Sequence, residues 1–165
     1  MPPRHVLFVC TGNSCRSVMA QALLQHRLQQ MASQLRQPVE VSSAGVFAMD
    51  GMSASRETVR LLAQDGIDVS GHMARSLTPD MVSRADLVFV MESFQHEEVL
   101  RRMPEAAGKV HLLKPFGLSQ PSEAVSPEIP DPIGKPSEVY ESCLLVIRDA
   151  VERVAHSLTS GARSA

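Results

Sequence analysis

Tryptophan is absent, and five Phe and one Tyr bring the aromatic share to only 4%. A chain so poor in rings is not expected to build the stacking platforms that hold single-stranded nucleic acid. Charge of one sign is missing as well: 16 Lys and Arg stand against 18 Asp and Glu, a net charge of −2. No basic field therefore points to nucleic acid or to an anionic membrane. No apolar run reaches the length that spans a bilayer. The opening MPPRHVLFVC lacks the apolar core and cleavage site of a secretory signal, so the cytoplasm is the expected location. Cysteine is scarce and odd in number, three in all, which argues for catalytic, redox or metal roles over a disulfide framework. Cys10 and Cys15 do not form a CxxC pair and no second ligand pair follows, so no metal and no cofactor are expected.

At 165 residues with 44% hydrophobic side chains, one domain with its own core is expected, over residues 1–158, followed by a flexible tail at 159–165. HVLFVC (5–10) is a short apolar run that reads as a buried parallel strand. Helical spacing follows over 17–35, then a strand at 39–45 and a helix over 53–67 with Ser53 as N-cap and Gly66 as its stop. A third strand (86–91), a helix halted near Pro104, a fourth strand (109–113) and a closing helix (137–158) complete the pattern. Between the last two lies a long Pro- and Ser-rich stretch, 114–136; loops of that length are commonly functional or disordered. Alternating strands and helices predict an α/β fold: a flavodoxin-like, doubly wound sandwich with a four-stranded parallel sheet covered by helices on both faces. Ligands of such folds sit beyond the carboxyl ends of the strands, and the first strand ends at Cys10.

The loop after that strand reads Cys10, Thr11, Gly12, Asn13, Ser14, Cys15, Arg16, Ser17. A strand-to-helix loop of this length can aim its backbone N–H groups at one point, and the next helix adds its dipole: a receptor for a tetrahedral dianion. Gly12 permits a positive φ and Asn13 tolerates one. Arg16 offers a planar fork to two phosphate oxygens. A cysteine at the base of such a positive bowl is set up to act as a thiolate, with Ser17 able to donate to the same sulfur. The competing reading of Cys10 is an ordinary buried cysteine at a strand end; the order strand, Cys, Gly-Asn, Arg-Ser, helix favours the anion site.

VLFVCTGNSCRSVMAQAL, with SSAG, GIDVSGHMARSLT, ADLVFVM and a late Asp-Pro, resembles the low-molecular-weight protein tyrosine phosphatases over most of the chain. The resemblance implies a metal-free phosphatase working through a phosphocysteine intermediate. It implies Cys10 as nucleophile, Arg16 and loop residues 11–17 as phosphate ligands, and Asp131 of EIPDPIGKP as the general acid. Taken alone, Asp131-Pro132 is a turn dipeptide; Asp80 and Asp86 are weaker candidates, the latter opening a strand where it would cap or pair. Asn13, Ser43 and His72 match a network that supports the loop, although His72 by itself would be read as a surface histidine. Cys15 matches a redox partner of the nucleophile, against simple packing under the loop, and Cys143 reads as core.

Family members selective for phosphotyrosine flank the pocket with aromatics where this chain has Met49 and Ile133. They commonly carry an apolar residue where it has Ser14. CTGNSCRS, SAGVFA and DPIGKPSEVY resemble the protein arginine phosphatases more closely. Phosphoarginine in proteins is therefore the favoured substrate and phosphotyrosine the next, with phosphate as product and Phe47 as a further pocket candidate. Asp50, Glu123 and Glu128 are candidates to attract a guanidinium or are simply solvated. Thiol-dependent arsenate reductases share the scaffold and form the alternative; they use a cysteine relay, and residues 76–100 contain no Cys.

Overall fold

The computed structural model describes residues 3–159. Four strands, β1 His5–Cys10, β2 Glu40–Gly45, β3 Leu87–Val90 and β4 Val110–Leu112, form one sheet in the order β2-β1-β3-β4. Every neighbouring pair is parallel. The α/β, flavodoxin-like reading therefore holds. The alternation of β1 shows why both faces are covered. Val6, Phe8 and Cys10 join one core with helices α1 (Arg16–Gln30), α2 (Arg56–Ala63) and α5 (Ser137–Thr159), while Leu7 and Val9 join the other with α3 (Pro79–Arg84) and α4 (Ser93–Arg102). A strand flanked by partners on both edges and helices on both faces has no polar side to show, which is the reason for its continuous apolar run.

Several local expectations need correction. The first helix stops at Gln30 and is followed by a 3-10 turn at Ala32–Gln34, short of residue 35. Ser53 is not the cap of α2: the Ser55 hydroxyl accepts from the Thr58 N–H, so the helix starts two residues later. Gly66 does take the left-handed stop conformation, φ 74°. Helix α3 lies where no helix was expected; Thr78 caps it and Pro79 occupies its first turn. Thr159 is the last residue of α5, so the expected tail begins inside that helix, and residues 160–165 lie outside the described residues.

Among the described residues no helix is long and apolar enough to cross a membrane, and no cluster of His, Cys, Asp or Glu could hold a metal ion. Residues 117–127 of the Pro-rich stretch are exposed throughout, whereas Ile129 is buried. Its N–H donates to the Met91 carbonyl at 2.9 Å, which ties the stretch to the end of β3.

Candidate active site

β1 delivers Cys10 to the carboxyl end of the sheet, 2% exposed, and the chain turns through 11–15 into α1. The turn is made by Asn13, whose φ is 54°; Gly12 is not in the left-handed region, contrary to expectation. Asn tolerates this conformation because its short polar side chain can bond locally, and here it does so with every donor and acceptor it has. Nδ2 donates to Ser17 Oγ (2.8 Å) and to Ser43 Oγ (2.9 Å), and Oδ1 accepts from the Arg75 N–H (3.0 Å). The Asn13 carbonyl accepts from His72 Nε2 at 2.8 Å, which places that ring's proton on Nε2. Ser43, His72 and Asn13 thus come together behind the loop, along with Arg75 and Gln21, whose Oε1 accepts from Ser43 Oγ.

Two donors face the sulfur. The Asn13 N–H lies 3.3 Å from Cys10 Sγ, and Ser17 Oγ lies 3.0 Å away. Because Ser17 Oγ already accepts from Asn13, its own proton is free for the sulfur. Glycine is required at a place the sequence did not suggest. A Cβ on Gly45, at the end of β2, would stand 2.5 Å from the Thr11 carbonyl oxygen and 3.0 Å from the Asn13 nitrogen. The next residues fasten this strand end to the loop: the Val46 N–H donates to the Cys10 carbonyl and the Phe47 N–H to the Thr11 carbonyl, each at 2.9 Å.

Arg16 opens α1 and is 1% exposed. A buried guanidinium needs compensation, and three groups supply it. Nη1 is paired with the Glu92 carboxylate and donates to the Ile129 carbonyl (2.8 Å), while Nη2 lies 3.5 Å from Asp131 Oδ2. Asp131 is thus beside Arg16, partly exposed, with Oδ1 accepting from the Ile133 N–H in an Asx turn. Asp80 and Asp86 are elsewhere. Asp80 pairs with Arg84 on the surface, and Asp86 Oδ2 accepts from the N–H groups of Arg4 and His5 at the start of β1.

Glu92 and Gln95 were not anticipated. Gln95 is wholly buried; its Oε1 accepts from the N–H groups of Met91 and Glu92, and its Nε2 donates to Thr11 Oγ1 at 3.0 Å. The turn after β3 therefore holds the start of the loop through Gln95 and Arg16 through Glu92. The signal was their position just past the carboxyl end of a central strand, where this class of fold gathers its site.

Cys15 occupies the N-cap position of α1 without a side-chain capping bond, its sulfur lying against Ser55 Oγ (3.2 Å) and Ser14 Oγ (3.7 Å). The Tyr140 hydroxyl also meets Cys15 and Ser55; burial, then the neighbouring Cys15, pushes this phenol above its ordinary range. Cys143 is core, as expected, and burial raises its thiol to about 12. All three cysteines are free thiols. Phe47, Met49 and Ile133 are exposed, Phe47 beneath the Arg102 guanidinium at 5.9 Å. Two of the three acids considered for guanidinium attraction are otherwise engaged: Asp50 Oδ1 accepts from Ser76 N–H and Oγ, and Glu128 Oε2 from the Ser93 N–H.

The family model for low molecular weight phosphotyrosine protein phosphatases matches residues 5–163. A probable low molecular weight protein-tyrosine-phosphatase, EpsP, of Ralstonia nicotianae is 39% identical over 149 residues, 90% of this chain and 92% of that protein. A protein-arginine-phosphatase of Geobacillus stearothermophilus is 36% identical over 156 residues, 94% of this chain and 97% of that one. The solved structure of the YwlE arginine phosphatase from Geobacillus stearothermophilus superposes with a TM-score of 0.83, covering 96% of this chain and 95% of its own. With a matching model across nearly its whole length and relatives of equal extent, the chain belongs to the low molecular weight phosphotyrosine protein phosphatase family and is a phosphatase enzyme.

Proposed function

We propose that this phosphatase removes phosphate from side chains of proteins or peptides, phosphoarginine first and phosphotyrosine second, with Cys10, Arg16 and Asp131 as its catalytic residues. The carrying observation is that one sulfur receives two donors, while the buried arginine at the other end of the same loop has the Asp131 carboxylate beside it. In the first step Cys10 Sγ attacks phosphorus in line, the bond to the leaving nitrogen or oxygen breaks, and Asp131 supplies its proton. Water then attacks phosphocysteine, Asp131 takes a proton, and the thiolate and inorganic phosphate are released. Arg16 and the backbone N–H groups of Thr11 to Ser17 hold the phosphoryl oxygens, Asn13, Ser43 and His72 keep the loop in shape, and Ser17 stabilises the departing thiolate.

Support for phosphoarginine comes from what flanks the site. Met49 and Ile133 leave a ring without aromatic walls, each worth about 0.5–1.5 kcal/mol beyond area burial, and Ser14 places a small hydroxyl in the loop. Cys15 takes the redox role: a peroxide oxidises Cys10 to the sulfenic acid, and the Cys15 thiol condenses with it, its proton leaving with the sulfenic hydroxyl as water, to close a disulfide. The cytoplasm, where thiols stay reduced, suits this chemistry. Arsenate reduction is not favoured, as the relatives are named phosphatases.

The test compares kcat/KM on phosphoarginine and phosphotyrosine peptides for the unmodified enzyme and for Ser14→Ile. Higher activity on phosphoarginine, falling in Ser14→Ile, supports the assignment; a strong preference for phosphotyrosine in the unmodified enzyme overturns it. Cys10→Ser should lose turnover yet bind phosphate, and Asp131→Asn should lower kcat with little change in binding.

A further inference from the structure

Beside the loop lies an apolar surface that runs from the pocket candidates Phe47 and Met49 to two further methionines with no part in the chemistry above. Phe47, Met49, Met52 and Met73 are 63%, 71%, 52% and 68% exposed. They come from two segments joined by backbone hydrogen bonds: the Ala74 N–H donates to the Met52 carbonyl (2.7 Å) and the Gly51 N–H to the Ala74 carbonyl (2.8 Å). Large apolar side chains gathered on a surface mark a contact site more often than chance exposure does.

Three observations say what the contact is. Each segment is fixed to the phosphate loop itself. Phe47 bonds to the Thr11 carbonyl, and His72 and Arg75, on either side of Met73 and Ala74, both bond to Asn13. A shelf held in register with the phosphoryl site meets whatever is attached to the phosphorylated side chain. The charges along it are already engaged. Asp50 accepts from Ser76, and Arg102 is paired with Glu98 at 2.8 Å and donates to the Val46 carbonyl at 2.9 Å. Its exposed contact groups are therefore mainly thioethers and one ring, and methionine adapts to many apolar shapes.

We propose that this shelf seats an apolar side chain one or two residues from the phosphorylated residue of a polypeptide substrate, and that it selects substrates by that neighbour. The proposal rests on the protein-phosphatase reading of the site. Successive Cα atoms are about 3.8 Å apart, so residues one or two places along a substrate stay close to the phosphorylated one, and these segments are bonded directly to the loop proposed to take its phosphate.

The experiment uses peptide pairs, in phosphoarginine and phosphotyrosine forms, with Leu or Asp at the flanking positions, and para-nitrophenyl phosphate as a substrate without flanks. The enzyme should show kcat/KM about fivefold or more higher for the Leu peptides. The Met52→Gln/Met73→Gln double variant should bring that advantage below about twofold and leave para-nitrophenyl phosphate turnover unchanged. Equal rates on Leu and Asp peptides, or an advantage that survives in the double variant, would overturn the shelf while leaving the site intact. A concentration-dependent dimer abolished by the double variant, without flank preference, would give the surface to a second copy of the chain and also overturn it. Failure of the unmodified enzyme on all these substrates would remove the site reading and the shelf together.

Discussion

Asn13 concentrates the strain and the hydrogen bonding of the site in one side chain, and its removal can be worked through in numbers. Replacement by Ala deletes three side-chain bonds, to Ser17, Ser43 and the Arg75 N–H. At about 1 kcal/mol each, that is about 3 kcal/mol. It also forces a Cβ without local bonding into φ 54°, costing about 1–2 kcal/mol more. Asn13→Gly loses the same bonds but relieves the backbone. Its looser unfolded chain takes back part of that relief, so it should be the more stable of the two by about 0.5–1 kcal/mol. With no Trp in the chain, unfolding in urea is best followed by far-ultraviolet circular dichroism. Asn13→Ala should lose about 4 kcal/mol, and both variants should lose on the order of a hundredfold in kcat/KM on para-nitrophenyl phosphate as the loop donors go out of line. If Ala matched or exceeded Gly in stability, or if both stayed within about 1 kcal/mol of the unmodified enzyme, the account of this loop would be wrong.

Gly45→Ala places a methyl against the Thr11 carbonyl and the Asn13 nitrogen, backbone atoms that cannot swing away; a loss of about 1–3 kcal/mol together with reduced kcat/KM is expected from urea titration and steady-state kinetics. The Cys143 thiol, held near 12 by burial, stays protonated in the folded protein while the unfolded chain ionises near the ordinary 9.0. Folding stability should therefore fall above about pH 9 by about 1.4 kcal/mol per pH unit more in the unmodified enzyme than in Cys143→Val; parallel urea midpoints at pH 8 and 10 would refute this. Burial, and then His96, hold the His111 imidazole below its usual 6.5. The unfolded state binds more protons just below that value, so stability drops as pH falls beneath about 6.5. His111→Phe should flatten the drop in melting temperature between pH 7.5 and 5.5.

The four strands were legible within a residue or two because β1 and β3 are apolar runs and all four are bounded by helix-period or turn segments, and the ends of β1 match the sequence reading. Helix α3 was missed because six residues are too few for a helical period to show, although Thr78, Pro79 and Asp80 carry the marks of a helix start. Ser53 and Ser55 are equivalent as letters; only the Thr58 N–H in reach of one of them distinguishes the cap. Gly12 drew attention as the conformationally free residue, yet a side chain with three local bonds holds the left-handed turn, and the indispensable glycine is Gly45, where two strand ends crowd together. Cys10, Arg16 and Ser17 could be found because one loop carries them. Glu92 and Gln95 were missed because they meet that loop from 76 and 84 residues away, and only their place just past the end of β3 marked them.

Ile129 has a consequence for how this molecule can vary. Its carbonyl receives Arg16 and its amide grips Met91, so the register of Asp131 is set two residues upstream by the main chain of one buried residue. The outward bulge at 117–127 lies before that anchor. The bulge can therefore be lengthened, shortened or recharged, changing what the rim presents, while Asp131 keeps its address.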